Sequence, residues 1–151
     1  MPFKINISEK HGKTYHLDLE SENLVGKQIN EKVNGMEISP ELSGYELEIA
    51  GASDKAGFPM VGDFETVGLK GMLLTYGKGM KKRSKREGKK KRSNPKPKGL
   101  RLRKKVRGKI ISPEIMQINL KVLKEGEKKL SEIFPEQNKK KEEAKTEAVA
   151  A

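Results

Sequence analysis

Seventeen basic side chains stand within thirty residues of this chain: Lys78, Lys81, Lys82, Arg83, Lys85, Arg86, Lys89, Lys90, Lys91, Arg92, Lys96, Lys98, Arg101, Arg103, Lys104, Lys105 and Arg107. Glu87 is the one acid among them, so residues 78–107 carry +16. The whole chain carries +12, which leaves −4 for everything outside that stretch. The chemistry open to such a set is phosphate binding, with guanidinium forks gripping two oxygens at once and ammonium groups acting as point charges. A block of like charge repels itself until a dense polyanion neutralises it. Gly79, Gly88, Gly99, Pro95 and Pro97 fit no amphipathic helix, and Met80, Leu100 and Leu102 are too few apolar residues for the segment to bury itself. Strand-like sequence on both sides makes it a loop held at two ends, and proline limits the entropy lost when it orders on a partner.

The kind of polyanion follows from what the segment lacks. Residues 78–107 contain no Phe, Tyr, Trp or His to stack on unpaired bases. No basic helix is patterned for the major groove of duplex DNA, and no bulky apolar residues are interleaved for a membrane surface. Tracking the crowded phosphates of a folded RNA is the expected role; a free-standing, non-specific nucleic-acid-binding or RNA-chaperone protein is the alternative.

Other groupings carry less chemistry. His11 and His16 would need Asp18 or Glu20 to complete a metal site, and His16, Asp18 and Glu20 share a face because that face of the strand is polar. Ser53, Asp54 and Lys55 are adjacent, so they do not converge on one substrate atom. The run from Thr75 to Gly79 is glycine-rich but lacks the ending of a phosphate-cradling loop. There is no cysteine, hence no disulfide and no thiolate ligand. No enzyme activity, metal or cofactor is expected. No apolar run approaches the ~18 residues of a membrane span, and the start lacks an apolar signal core, so a cytoplasmic location is expected.

The elements that must hold the basic segment are short strands. Phe3, Ile5 and Ile7 alternate with polar residues, as do Tyr15, Leu17 and Leu19 after the turn containing Gly12, which predicts a hairpin. Residues 21–38 fit a short helix as well as a strand. Ser39-Pro40-Glu41 predicts a capped turn. Tyr45, Leu47 and Ile49 restore the alternation, and residues 51–62 read as a loop in which Phe58 and Met60 flank Pro59. That apolar bulk either folds back on the core or docks on a partner. A glycine-rich strand follows around residues 69–76. After the basic segment, Met116, Ile118, Leu120 and Val122 alternate, and residues 127–134 predict a short helix stopped by Pro135. With 33% hydrophobic residues, the chain has enough for a core domain of about 100 residues. The expectation is a mainly β fold: a small β-barrel-like domain of residues 1–77 and 104–135, a basic RNA-binding loop of residues 78–103, a short C-terminal helix, and a frayed or disordered tail of residues 136–151.

Two blocks of sequence go further. GASDKAGFPM at residues 51–60, followed by GLKGMLLTYGKG, and KKVRGKIISPEIMQINLKVLKEGEKKL at residues 104–130 resemble the small-subunit ribosomal protein S6e family of archaea and eukaryotes. The resemblance covers residues 1–130. It implies a structural component of the small ribosomal subunit, partnered by rRNA and neighbouring ribosomal proteins, with a β-barrel-type domain and basic extensions threading the RNA. Residues 81–107 then correspond to the family's basic connecting segment. Ser53, Asp54, Lys55, Gly57, Phe58, Pro59 and Met60 belong to its signature loop, used for packing or docking. Eukaryotic members carry a long basic C-terminal extension with clustered phosphorylated serines. This sequence has a mixed, alanine-rich tail instead, and Ser84 does not occupy that place, so the resemblance implies the short archaeal form and carries over no phosphorylation.

Overall fold

A computed structural model of the chain describes residues 3–20, 22–77, 79–81 and 98–137. Strand β1 (Phe3–Ser8) pairs antiparallel with β2 (Thr14–Leu19), and Gly12 takes φ +85° in the turn between them. The period-two apolar residues of β1 all point inward: Phe3, Ile5 and Ile7 are buried. The other edge of β1 pairs in parallel with β7 (Ile115–Lys124), a pairing that requires a long crossover, supplied here by most of the chain. On the far side of β7 lies β4 (Glu46–Asp54), antiparallel, and then the three-residue β3 (Lys32–Asn34). The sheet order is β2-β1-β7-β4-β3.

The fold is mainly β, as the alternation predicts, but the sheet is not closed into a barrel. β2 and β3 remain its edges, because β5 (Leu69–Leu74) and β6 (Leu102–Arg107) pair with each other in a separate two-stranded ribbon. One face of the large sheet, with Ile5, Ile7, Leu47, Ile49, Ile118 and Leu120, is covered by Leu24, Ile29, Leu42 and Leu130. Burying each such side chain contributes about 1.5–3 kcal/mol. Residues 21–38, ambiguous by pattern, supply turns, an isolated bridge from Gln28 to Ile110, β3 and a single 3-10 turn at Gly35–Glu37. Leu24, Ile29 and Val33 are all buried, yet their spacing of five and then four belongs to neither period. The capped turn forms as a 3-10 helix over Pro40–Leu42, with the Ser39 hydroxyl accepting the Glu41 N–H at 3.4 Å.

The segment predicted as a loop after Ile49 is half strand. β4 continues through Asp54, and the chain turns back at Gly57, whose φ is +82°. The Asp54 N–H donates to the Phe58 carbonyl at 3.0 Å and the Met60 N–H to the Ala52 carbonyl at 2.9 Å. Met60 is thereby sunk in the main core, 2% exposed.

At the other end, α1 (Leu130–Ile133) buries Leu130, and Phe134 stacks on Tyr15 with ring centroids 5.8 Å apart. Gln137 then uses its carboxamide as a substitute strand. Its Oε1 accepts the His16 N–H at 2.7 Å and its Nε2 donates to the His16 carbonyl at 2.8 Å, occupying two outward groups of edge strand β2. The body of the protein therefore reaches Gln137, two residues into the segment predicted as a tail; residues 138–151 lie outside the described residues. Truncation after Gln137 is expected to leave urea stability unchanged. Truncation after Glu136 should cost about 1 kcal/mol, the scale of a net hydrogen-bond contribution, and should raise the tendency to self-associate through the freed edge.

Candidate nucleic-acid interface

The β5–β6 ribbon has two different faces because successive residues point to opposite sides. On one, Leu74 and Val106 join Val61 and Met80 in a second, smaller core, with Phe64, Met72, Leu100 and Leu102 packed around it. Lys70 sits with its Nζ 5.5 Å from the centre of the Phe64 ring. On the other face Arg103 and Lys105 stand beside Leu69 and Leu73, all exposed.

The few apolar residues of the basic segment are its anchors. After β5 a tight turn links Gly77 and Met80 by reciprocal backbone hydrogen bonds of 3.1 and 3.3 Å, which sinks Met80 into the smaller core. Leu100 packs against the same core where the segment returns. Lys81 leaves this root exposed, and Lys98 and Arg101 re-enter it exposed. Lys81, Lys98, Arg101, Lys104 and Lys105 form no ion pair among the described residues, and Arg103 makes only a 3.5 Å contact from Nη1 to the Gly71 carbonyl. Lys78, Lys82, Arg83, Lys85, Arg86, Lys89, Lys90, Lys91, Arg92 and Lys96 lie outside the described residues.

Arg107 differs from the other described cations grouped with it by sequence. Its side chain is 8% exposed and faces inward, where Nε and Nη2 donate to one Asp54 carboxylate oxygen at 3.0 and 2.6 Å, and Nη1 donates to Glu114. The other Asp54 oxygen accepts the Ala56 N–H at 3.1 Å. Arg107 also ties the backbones together, its N–H donating to the Pro59 carbonyl and its carbonyl accepting the Val61 N–H, each at 3.0 Å. The adjacent Gly108 has no room for a side chain: a Cβ there would lie 1.6 Å from the Thr66 carbonyl oxygen. So one cation joins the ribbon to the turned-back end of β4.

The same contacts give residues 53–60 a geometry. Asp54 is the buried partner of Arg107, Met60 fills the core, and Phe58 and Pro59 are half-buried, while Lys55 and Gly57 are exposed and Ser53 bridges to Pro59. Sequence reasoning missed Asp54 and Glu114 as partners of Arg107, since nothing local marks a contact across 53 residues. Hydrogen bonding from Arg107 holds the Asp54 carboxyl below the ordinary range of an aspartate, assisted by the Ala56 N–H and opposed by burial. His16 places Nδ1 2.6 Å from the Asn6 Oδ1, and no group of three His, Asp or Glu among the described residues is arranged to hold a metal ion. No helix among them is long and apolar enough to cross a membrane.

Comparison with known proteins agrees with the motif blocks. Residues 3–135 match the family described as ribosomal protein S6e. The chain is 40% identical over 140 residues to the small ribosomal subunit protein eS6 of Archaeoglobus fulgidus, covering 89% of this chain and 96% of that protein. It is 39% identical over 146 residues to the protein of the same name from Methanosphaera stadtmanae, covering 95% and 100%. To that of Thermoplasma acidophilum it is 36% identical over 126 residues, covering 82% and 89%.

The buried pair makes a mutational contrast. Arg107→Ala leaves the Asp54 carboxylate without its cation and should cost about 3–5 kcal/mol in urea unfolding, whereas Lys105→Ala, on the open face, should stay within about 0.5 kcal/mol. Because the folded carboxyl of Asp54 titrates below its unfolded value, its contribution is complete above about pH 4 and is lost as pH falls through the lowered folded value. Asp54→Asn should therefore flatten the acid limb of a stability-versus-pH curve measured between pH 2 and 6.

Proposed function

The chain belongs to the ribosomal protein S6e family, and from that premise we propose that it is a structural constituent of the small ribosomal subunit that neutralises rRNA phosphates with the cations of its basic segment. The observation that carries this reading is the segregation of charge: +16 in residues 78–107 against −4 elsewhere. At the root of the segment, Lys81, Lys98, Arg101, Lys104 and Lys105 are exposed and have no carboxylate partner among the described residues, and Arg103 is exposed beside them. Lys78 and the cations from Lys82 to Lys96 belong to the same set by sequence. Arg107, grouped with them by sequence, is buried against Asp54, and its role is to hold the ribbon. In this reading the body, residues 3–77 and 104–137, is a mount for the segment, the protein resides on cytoplasmic ribosomes beside other ribosomal proteins, and it catalyses nothing.

Phosphate contacts release counterions, so affinity for small-subunit rRNA should fall by about 10³–10⁵ between 50 and 200 mM salt if ~6–10 phosphates are engaged. Replacing any one exposed lysine by Ala should lower the slope of log affinity against log salt by about one. In a lysate the protein should sediment with small subunits. Recovery in the free fraction, or equal affinity for duplex DNA and rRNA, would overturn the proposal in favour of a non-specific binder.

A further inference from the structure

The ribbon's root borders a cavity that the phosphate-binding reading does not use. Three separate stretches meet there: Ile29 and Asn30, then Val61 to Asp63, then Leu74 to Gly77. Its volume is about 370 Å³, within the range of small-ligand sites, about 300–1,000 Å³. Ile29, Val61 and Leu74, all buried residues of the two cores, give it apolar walls. Tyr76 stands at the cavity 66% exposed, a large ring displayed to solvent immediately before the basic segment begins. Asn30 and Asp63, both exposed, supply polar groups. Asn30 is the one described non-glycine residue with positive φ, +68°, held there by its N–H donating to the Ile49 carbonyl at 2.8 Å; such conformations concentrate at binding sites.

Three properties select the ligand. The ring and the apolar walls favour a flat, partly apolar group. The Asp63 carboxylate repels phosphate and accepts hydrogen bonds, so it favours a neutral donor. The position at the root of a cationic segment means that an RNA strand whose phosphates follow those cations brings its bases to the cavity mouth. We propose that the cavity between Asn30, Asp63 and Tyr76 receives one unstacked nucleobase of the bound RNA, stacked on Tyr76 and donating an exocyclic amino group to Asp63. Unpaired bases in RNA are commonly held in this way, by an aromatic face and by hydrogen bonds to their edges. The inference rests on the rRNA-binding reading and adds a base-reading contact to it. It also supplies the aromatic partner that residues 78–107 lack.

The test compares full-length wild type, Tyr76→Ala, Tyr76→Phe and a Lys81→Ala/Arg101→Ala/Arg103→Ala variant on small-subunit rRNA across 50–300 mM salt. Tyr76→Ala should weaken binding by about five- to a hundredfold, the range for loss of one stacked base, with the salt slope unchanged, because a base contact displaces no counterion. Tyr76→Phe, which keeps the ring, should bind within about twofold of wild type. The triple variant should lose affinity and also lower the slope. Wild-type affinity in Tyr76→Ala with a weakened triple variant would overturn the base site and leave the phosphate reading standing. A lowered slope in Tyr76→Ala, or equal loss in Tyr76→Phe, would likewise overturn it. An unchanged triple variant would instead remove the phosphate reading itself. As a check on base choice, single-stranded oligocytidylate should bind wild type more tightly than oligouridylate, which has no exocyclic amino group, and Asp63→Asn should narrow the difference; equal binding of the two oligomers by wild type would exclude the role given to Asp63.

Discussion

The ion pair between Arg107 and Asp54 is the constraint from which the geometry of the ribbon follows. Taking both charges out of water is costly, and the pair is tolerable only because the hydrogen bonding around it is nearly complete. Two guanidinium N–H groups meet one carboxylate oxygen, the Ala56 amide meets the other, and Glu114 takes a further guanidinium N–H. The same residue joins β6 to the 59–61 backbone, which in turn pairs with the end of β4. Specific chemistry at one point therefore sets where a two-stranded ribbon leaves a five-stranded sheet. Gly108 makes the junction tight, since any side chain there would meet the Thr66 carbonyl.

Beyond that junction the molecule divides its charges. Further ion pairs among the described residues match the body's own cations with its own acids: Lys27 with Glu37, Lys109 with Glu65, Lys124 with Glu46. None of them draws on Lys81, Lys98, Arg101 or residues 103–105. Pairs with at least one member open to solvent, as each of these has, contribute little to stability. Among the described residues, the acids of the body do not pair with the cations at the root of the basic segment. Met80 and Leu100, the apolar residues at the segment's two ends, fasten it to the smaller core. Among the described residues, few apolar anchors at the segment's two ends sit beside exposed cations.

How far this was legible in the sequence depended on the range of each signal. β1, β2, the start of β4 and β7 announce themselves because one face of each is buried, so alternation is enforced along the strand. The second half of β4 was hidden, because Gly51, Ala52 and Ser53 carry no strand preference and pair only because β7 lies alongside. β3 is three residues long and gains its hydrogen bonds from β4, so residues 21–38 showed no period. The number of short strands pointed to a mainly β, barrel-like domain, which the sheet bears out without closing, since strand count does not say which strands pair. For the interface, the cationic stretch was readable as composition, but the inward turn of Arg107 was not, because its partners lie 53 and 7 residues away. Tyr76 was passed over for a similar reason. As a local string it belonged to a glycine-rich run without a known motif; only the folded chain sets it beside Asn30 and Asp63.

The central claim is that the root of the ribbon lies on RNA, oriented by the Arg107–Asp54 pair. Site-specific photocrosslinking in intact small subunits tests it directly, with a crosslinking amino acid placed in turn at Lys81, at Arg101 and, on edge strand β2 of the large sheet, at Asp18. The account predicts abundant crosslinks to rRNA from positions 81 and 101 that exceed those from position 18. Crosslinks from 81 and 101 that go only to protein, or none from either position in particles that contain the chain, would contradict it.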